Sequence, residues 1–162
     1  MRRLPLVIAL ALLAGPLLGP VAAKGPTVLV TVTGPGLPGE IEVTDPAALA
    51  DVWGAPAGCG TSDRFFTASA AAPDRTLPRY DVAFHVRIGE AGTTASRVMY
   101  LVRFAWDPVS GLGFVYLPGP GDAAYAVNRG TIMRGVNDGR WFRASARWAG
   151  AIQRGIIAAT AH

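Results

Sequence analysis

Two neighbouring stretches of the sequence alternate apolar and polar residues, and this pattern constrains the fold more than any other feature. In residues 80–88 (YDVAFHVRI) every second side chain is large and apolar, and residues 97–106 (RVMYLVRFAW) repeat the alternation after the turn-rich segment GEAGTTAS. A period of two residues is typical of β-strands, so the two stretches predict a hairpin. Both faces of 97–106 are largely apolar, which favours a central strand covered on both sides.

Other segments extend this pattern in both directions along the chain. Residues 27–33 (TVLVTVT), 40–43 (EIEV) and 112–118 (LGFVYLP) predict strands, and 123–127 (AAYAV) predicts a brief one. In TDPAALADVWG, Thr44 or Asp45 can begin a helix of about two turns that Gly54 ends. Residues 54–79 show no sustained periodicity, which favours a functional or mobile loop.

Three glycines between the first two strand patterns have the spacing of a dinucleotide-binding loop. Gly34, Gly36 and Gly39 match G-x-G-x-x-G. That fingerprint requires a helix directly after the glycines, so that the helix N-terminus faces the phosphates. Here a second strand pattern follows, and prolines lie between the glycines, so the segment predicts a reversing loop.

The C-terminal segment 141–161 has helical rather than strand periodicity. At 100° per residue, one side gathers Trp141, Trp148, Ile152, Ile156 and Ala159. The opposite side gathers three basic residues, Arg143, Arg147 and Arg154. The pattern predicts an amphipathic helix that buries its tryptophans against the sheet, and the alternative is a basic helix lying on an anionic membrane.

These elements together predict an α+β fold. We expect an antiparallel sheet of about five or six strands, a short helix after the second strand, and a C-terminal helix on one face. Residues 24–162 have the length of one domain, and such a length suffices to bury a hydrophobic core.

The first 23 residues have the layout of a secretory signal peptide. Arg2 and Arg3 precede an apolar run that ends in small residues, which predicts cleavage between Ala23 and Lys24. The alternative is an uncleaved membrane anchor, because the run is about long enough to span a bilayer. Cleavage would place residues 24–162 in the cell envelope or the medium.

The charge of the chain gives little support for a polyanionic partner. The formal net charge of +4 falls to +2 once the two arginines of residues 1–23 are removed. We therefore expect no nucleic-acid partner on charge alone, and membrane contact only through the signal segment or the C-terminal helix. The arginines of residues 129–162 still allow a local basic face.

Residues able to carry out catalysis or bind metal are few. The sequence has one cysteine, Cys59, and two histidines, so it allows no internal disulfide and no site with several imidazoles and thiolates. No catalytic or cofactor-binding motif is recognisable. A triad of Cys59, His85 and Asp81 can be written down, yet Asp81 and His85 would lie about 13 Å apart along one strand.

The chain resembles a loose set of small exported bacterial proteins of unknown function. The resemblance depends on the TGPGL segment (residues 33–37), the central hairpin, and GRWFRA (residues 139–144) before the last helix. It implies no activity and no cofactor. We expect a non-catalytic binding or envelope-associated domain; the alternatives are membrane-surface association and a cysteine-dependent enzyme. The candidate surface residues are Cys59, Phe65, Phe66, His85, Arg143, Arg147 and Arg154.

Overall fold

The computed structural model describes residues 27–50, 65–87, 95–128 and 137–161. These ranges contain seven strands and three helices. The strands are β1 (Thr27–Thr33), β2 (Ile41–Val43), β3 (Phe66–Ala70), β4 (Arg79–Arg87), β5 (Ser96–Asp107), β6 (Leu112–Leu117) and β7 (Arg140–Ala144). The helices are α1 (Pro46–Ala50), α2 (Tyr125–Asn128) and α3 (Ala146–Thr160). The predicted signal peptide, residues 1–23, lies outside the described residues.

The seven strands form one antiparallel sheet in the order β2-β1-β4-β5-β6-β7-β3. The fold is therefore α+β, with a short helix after the second strand and a C-terminal helix, as the sequence predicts. β5 occupies the centre of the sheet, in agreement with its two apolar faces. In the described ranges, no helix is long and apolar enough to cross a membrane.

The glycine-rich segment is the turn of the β1-β2 hairpin, as predicted. β1 and β2 pair antiparallel, with Val30 opposite Val43, and the amide of Leu37 donates a hydrogen bond to the carbonyl of Gly34 over 3.3 Å. Gly36 has a φ of 78°, a left-handed conformation that glycine adopts without steric cost. These glycines reverse the chain, and a strand follows them where a phosphate loop would require a helix.

The prediction of one continuous helix from residue 141 is wrong at its beginning. Residues 140–144 form β7, which pairs with β6 on one side and β3 on the other. α3 begins after Ser145, whose extended backbone and side-chain hydroxyl cap the helix by accepting a hydrogen bond from the amide of Trp148. Trp141 therefore lies on a strand, and its helical spacing from Trp148 is coincidental.

Two further segments differ from the prediction. Part of the segment 54–79 forms β3, an edge strand beside β7, and β3 and β7 are the two strands of the sheet that the sequence did not predict. The sequence of β3 lacks the apolar alternation of a strand, because three of its five residues are exposed. The segment around 123–127, predicted as a brief strand, instead forms the helical turn α2.

The core lies between one face of the sheet and α3. Trp148 of α3 is fully buried at its centre, with ring centroids 5.4 Å from Phe65, 6.2 Å from Phe84 and 5.6 Å from Phe104. Gly113 of β6 allows this close packing, because a Cβ atom there would lie 2.8 Å from the Cβ of Ala149. The first face of the sheet is thereby committed to the core, and a functional surface on the sheet has to use the second face.

Candidate functional site

The second face of the sheet carries arginine and aromatic side chains. Because successive residues of a strand point to opposite faces, residues that alternate with the core positions Val102, Val115 and Phe142 share this face. Six of its arginine and aromatic side chains are half-buried. We call these six the arginine-aromatic face, which consists of Arg79, Arg103, Phe114, Tyr116, Trp141 and Arg143.

One row of side chains crosses four adjacent strands of this face. Asp81 of β4 lies opposite Arg103 of β5, Arg103 opposite Tyr116 of β6, and Tyr116 opposite Trp141 of β7. Arg103 Nε donates to Asp81 Oδ1 over 3.1 Å, and the rings of Tyr116 and Trp141 have centroids 5.2 Å apart. At about 4.8 Å per strand the row spans about 14 Å.

A second row lies beside the first and contains the other two arginines. Arg79 of β4, Ala105 of β5, Phe114 of β6 and Arg143 of β7 lie opposite one another in turn. The guanidinium carbon of Arg143 is 4.5 Å from the ring centroid of Phe114, and that of Arg79 is 5.3 Å from the ring of Trp141. The small side chain of Ala105 leaves room for Arg79 to reach across. Both guanidinium groups are thus held in place by cation-π contacts.

The three arginines of the face differ in whether a carboxylate pairs with them. Arg103 is paired with Asp81. Within the described part of the chain, neither Arg79 nor Arg143 forms an ion pair with a carboxylate. Arg79 Nε and Arg143 Nη1 are also buried and make no hydrogen bond with described protein atoms. These two nitrogen atoms are closed to an external ligand, but the positive charge of the half-buried guanidinium groups favours an anion at this part of the face.

A pocket of about 130 Å³ opens beside Asp81, Arg103 and Tyr116 of the first row, away from Trp141. Its polar lining consists of Asp81, Arg103, Tyr116 and Asp122. Asp122 Oδ2 accepts hydrogen bonds from the Tyr116 hydroxyl and the Gly119 amide, both over 2.8 Å. Burial, followed by the hydrogen bond to Asp122, raises the pKa of Tyr116, so its hydroxyl stays a neutral donor at physiological pH.

Two of the predicted surface residues belong to the core. Phe65 is fully buried and Phe66 is 2 % exposed, and their rings meet edge to face at a centroid distance of 5.0 Å. Phe65 contacts Trp148, and Phe66 contacts Phe142 of β7. The expectation that they line an exposed surface is therefore wrong, because each is used to pack the sheet against α3 or against its neighbouring strand. Cys59 lies outside the described residues.

The residues of the hypothetical cysteine triad that the structure describes have other partners. His85 Nε2 lies 3.1 Å from the hydroxyl of Thr31 on β1, and Asp81 is paired with Arg103. His85 is half-buried and lies on the same sheet face as Asp81 but further along β4. The structure does not bring these two residues together as a base and its carboxylate.

The three arginines predicted to share one helical face are separated by the fold. Arg143 is on β7 and contacts Phe114, whereas Arg147 and Arg154 are exposed on α3. Arg154 donates a hydrogen bond to Asp45, the residue before α1. The apolar positions of α3 that a membrane-lying helix would insert, Trp148, Ile152 and Ile156, are buried in the core.

Sequence reasoning missed most of the arginine-aromatic face. The sequence contains one indication of this face. In two strands whose core-facing positions are apolar, the alternating positions are aromatic as well, namely Phe114, Tyr116 and Trp141. That signal identifies a face with unusual composition, but it does not show which strands are neighbours. Arg79 and Trp141 are 62 positions apart in the sequence and meet only because of the strand order.

Comparisons with known proteins return no assignment, because no family model, no curated protein and no solved structure matches the chain. Within the described residues, no group of three histidine, cysteine or acidic side chains is placed to hold a metal ion. Function must therefore be inferred from the geometry of the face itself.

Proposed function

We propose that the protein is an exported, non-catalytic binding domain of the cell envelope, and that the arginine-aromatic face is its ligand-binding surface. The observation that carries the proposal is the pair Arg79 and Arg143. Each guanidinium is held against an aromatic ring, and neither is paired with a carboxylate of the described residues. The ligand is anionic.

Three properties of the face support binding. Its side chains are fixed by cross-strand contacts, so little conformational entropy is lost when a ligand orders them. Tyrosine, tryptophan and arginine are the residue types that contribute most to binding energy at protein surfaces. The face is built on strands rather than loops, so the positions of its donors are set by the sheet.

The predicted signal peptide supports the envelope location in this proposal. The layout of residues 1–23 predicts a cleaved signal peptide, and a domain released in that way meets the anionic polymers of the envelope. A surface with two available guanidinium groups would bind such polymers weakly at one site and more tightly where several copies act on one chain.

The proposal is tested by measuring binding of residues 24–162 to dextran sulfate, poly-L-glutamate and inorganic polyphosphate by calorimetry at low and physiological salt. We expect binding to at least one of these polymers, weakened by salt. A double substitution, Arg79→Gln with Arg143→Gln, should weaken it about tenfold or more, because it removes two charge-assisted donors.

Arg75→Gln is the matched control, since Arg75 is an exposed arginine in the segment between β3 and β4. It removes the same kind of charge from a position outside the face, and binding should change by less than about twofold. If Arg143→Gln by itself weakened binding no more than Arg75→Gln, only net charge would matter, and absence of binding to every polyanion tested would exclude the face as an anion site.

A further inference from the structure

The two ends of the arginine-aromatic face differ in chemistry, and the difference restricts the ligand. One end, on the β7 side, has the guanidinium group of Arg143 over Phe114 and that of Arg79, which reaches across from β4, over Trp141. The other end has the pocket with the carboxylates of Asp81 and Asp122. A ligand that fits the whole face must present anionic, apolar and hydroxyl groups along one extended chain.

The guanidinium end is suited to carboxylates. A planar guanidinium has a fork of donors that matches the two oxygens of a carboxylate. The cation-π contacts with Phe114 and Trp141 restrict the positions of both groups before the ligand arrives. The cost of ordering the side chains is thus reduced.

The aromatic row is suited to sugar rings. The faces of aromatic rings carry partial negative charge and attract the weakly positive C–H groups of a saturated ring. Tyr116 and Trp141 are adjacent and half-buried, and the Arg79 guanidinium lies over the Trp141 ring, so a sugar would contact the part of this low apolar row that Arg79 leaves open. Insertion into a membrane requires projecting apolar groups, so a lipid surface fits this low row poorly.

The pocket end is suited to hydroxyl groups and unsuited to phosphates. Carboxylate oxygens of Asp81 and Asp122 can accept hydrogen bonds from hydroxyls, and Asp81 is already paired with Arg103, so Asp122 supplies the charge that repels an anion here. Nucleic-acid affinity depends on many contacts between basic residues and phosphates. Two arginines are too few for such a set of contacts, so a nucleic acid is the less suitable polyanion.

We infer that the ligand is an acidic polysaccharide whose sugar units carry carboxylates. The carboxylates bind Arg79 and Arg143, the sugar rings pack against Tyr116 and the part of Trp141 that Arg79 leaves open, and ring hydroxyls donate to Asp81 and Asp122. The row spans about 14 Å, which is long enough for a short oligosaccharide. This inference rests on the proposed function, because it names the class of anion that the same face binds.

The experiment compares polygalacturonate oligomers with phosphatidylglycerol vesicles and with three polymers, each of which shares one property with polygalacturonate. Poly-L-glutamate has carboxylates without sugar rings, dextran has sugar rings without charge, and oligothymidylate is a phosphate polymer. Calorimetry with residues 24–162 should give about tenfold tighter binding of polygalacturonate than of each of the others at physiological salt.

Two substitutions test the contacts separately. Trp141→Leu should weaken polygalacturonate binding about tenfold and poly-L-glutamate binding by a smaller factor, because both ligands lose the ring that holds Arg79 and only the sugar also loses its own contact with that ring. Arg143→Lys keeps the charge but loses the donor fork, and it should also weaken polygalacturonate binding severalfold. Arg75→Gln again serves as the control, and near-ultraviolet circular dichroism verifies that each variant is folded.

The outcomes separate this inference from the proposed function. Binding of poly-L-glutamate as tight as that of polygalacturonate would overturn the polysaccharide assignment and leave the anion surface intact. Tighter binding of oligothymidylate, or of phosphatidylglycerol vesicles, would overturn it in favour of a nucleic acid or a lipid. If polygalacturonate and the anionic polymers all fail to bind, both proposals are wrong.

Discussion

At the scale of single residues, Asp45 joins two helices that are far apart in the sequence. Its Oδ1 atom accepts a hydrogen bond from the amide of Ala47 over 2.8 Å, which caps α1, and its Oδ2 atom accepts one from Arg154 of α3. The Arg154 hydrogen bond, with the Ala47 amide second, holds the pKa of Asp45 below its usual value of 3.8. One carboxylate therefore fixes the start of α1 and its position beside α3.

This lowered pKa predicts the pH dependence of stability. Because the pKa of Asp45 is lower in the folded than in the unfolded chain, its stabilisation is complete above 3.8 and is lost as the pH falls through the folded value. Asp45→Asn, which can still cap α1, should therefore lower the urea midpoint at pH 7. The difference from the unmodified protein should shrink as the pH is lowered below 3.8.

Arg154→Gln provides the matched comparison, because it removes the other partner of the same ion pair. The double variant should lose less than the sum of the two single losses, since neighbouring partners are not additive. A difference between the unmodified protein and Asp45→Asn that is equally large at pH 7 and pH 3 would contradict this account.

At the scale of elements, α2 completes the hydrogen bonding of the central strand. β5 is twelve residues long, but its pairing with β6 covers only Arg103 to Asp107. Before that point its outer edge needs another partner. The side chain of Asn128 supplies one, because Oδ1 accepts from the Leu101 amide over 2.7 Å and Nδ2 donates to the Leu101 carbonyl over 2.6 Å.

Replacing Asn128 by Ala should therefore expose the edge of β5. It leaves one amide and one carbonyl of the strand without a partner, at a cost of about 1–3 kcal/mol. The measurement is amide hydrogen exchange, in which the Leu101 amide should exchange faster in the variant. Asn128→Asp should keep the Leu101 amide partly protected through the remaining acceptor, but it should lower stability, because it places a buried carboxylate oxygen against the Leu101 carbonyl.

Val127→Ala is the control, since Val127 is 39 % exposed on the same helical turn. It should change global stability by less than about 0.5 kcal/mol and leave the Leu101 amide protected. An unchanged exchange rate of that amide in Asn128→Ala would show that α2 does not stabilise this edge.

At the scale of the whole molecule, Trp148 links elements from distant parts of the described chain. Its ring contacts Phe65 before β3, Phe84 on β4 and Phe104 on β5, and it is carried by the last helix. Folding of the sheet and docking of α3 should therefore be one cooperative event.

Trp148→Ala should cost about 3–5 kcal/mol, a large part of the roughly 5–15 kcal/mol typical of a domain. Trp148→Phe should cost less, because it keeps an aromatic ring and removes a buried indole N–H that has no hydrogen-bond partner among the described residues. Urea unfolding followed by near- and far-ultraviolet circular dichroism measures both losses.

The comparison variant is Trp141→Ala on the opposite face, where the ring is half-buried and truncation should cost less than Trp148→Ala. In all three variants the two spectroscopic transitions should coincide. Secondary structure that persists after the loss of near-ultraviolet signal would show that the sheet folds independently of α3.

The sequence by itself determined the features that depend on near neighbours. Alternation in 80–88 and 97–106 is a two-residue period, so it predicts the central hairpin and the buried positions Val82, Phe84, Tyr100 and Val102. Glycine and proline restrict their own dihedral angles, so the reversal between β1 and β2 is readable from residues 34–39 alone. The α+β class and the central place of β5 follow from these local patterns.

Tertiary structure alone decided where α3 begins, what β3 pairs with, and what the second face of the sheet contains. Residues 140–144 are compatible with helix and strand, and pairing with both β6 and β3 selects the strand. Arg79, Tyr116 and Trp141 become neighbours only through the order of the strands. Local periodicity carries no information about which distant strands pair, because pairing depends on how all the elements share one core. The arginine-aromatic face is formed by that pairing, so it cannot be read from the sequence of any single strand.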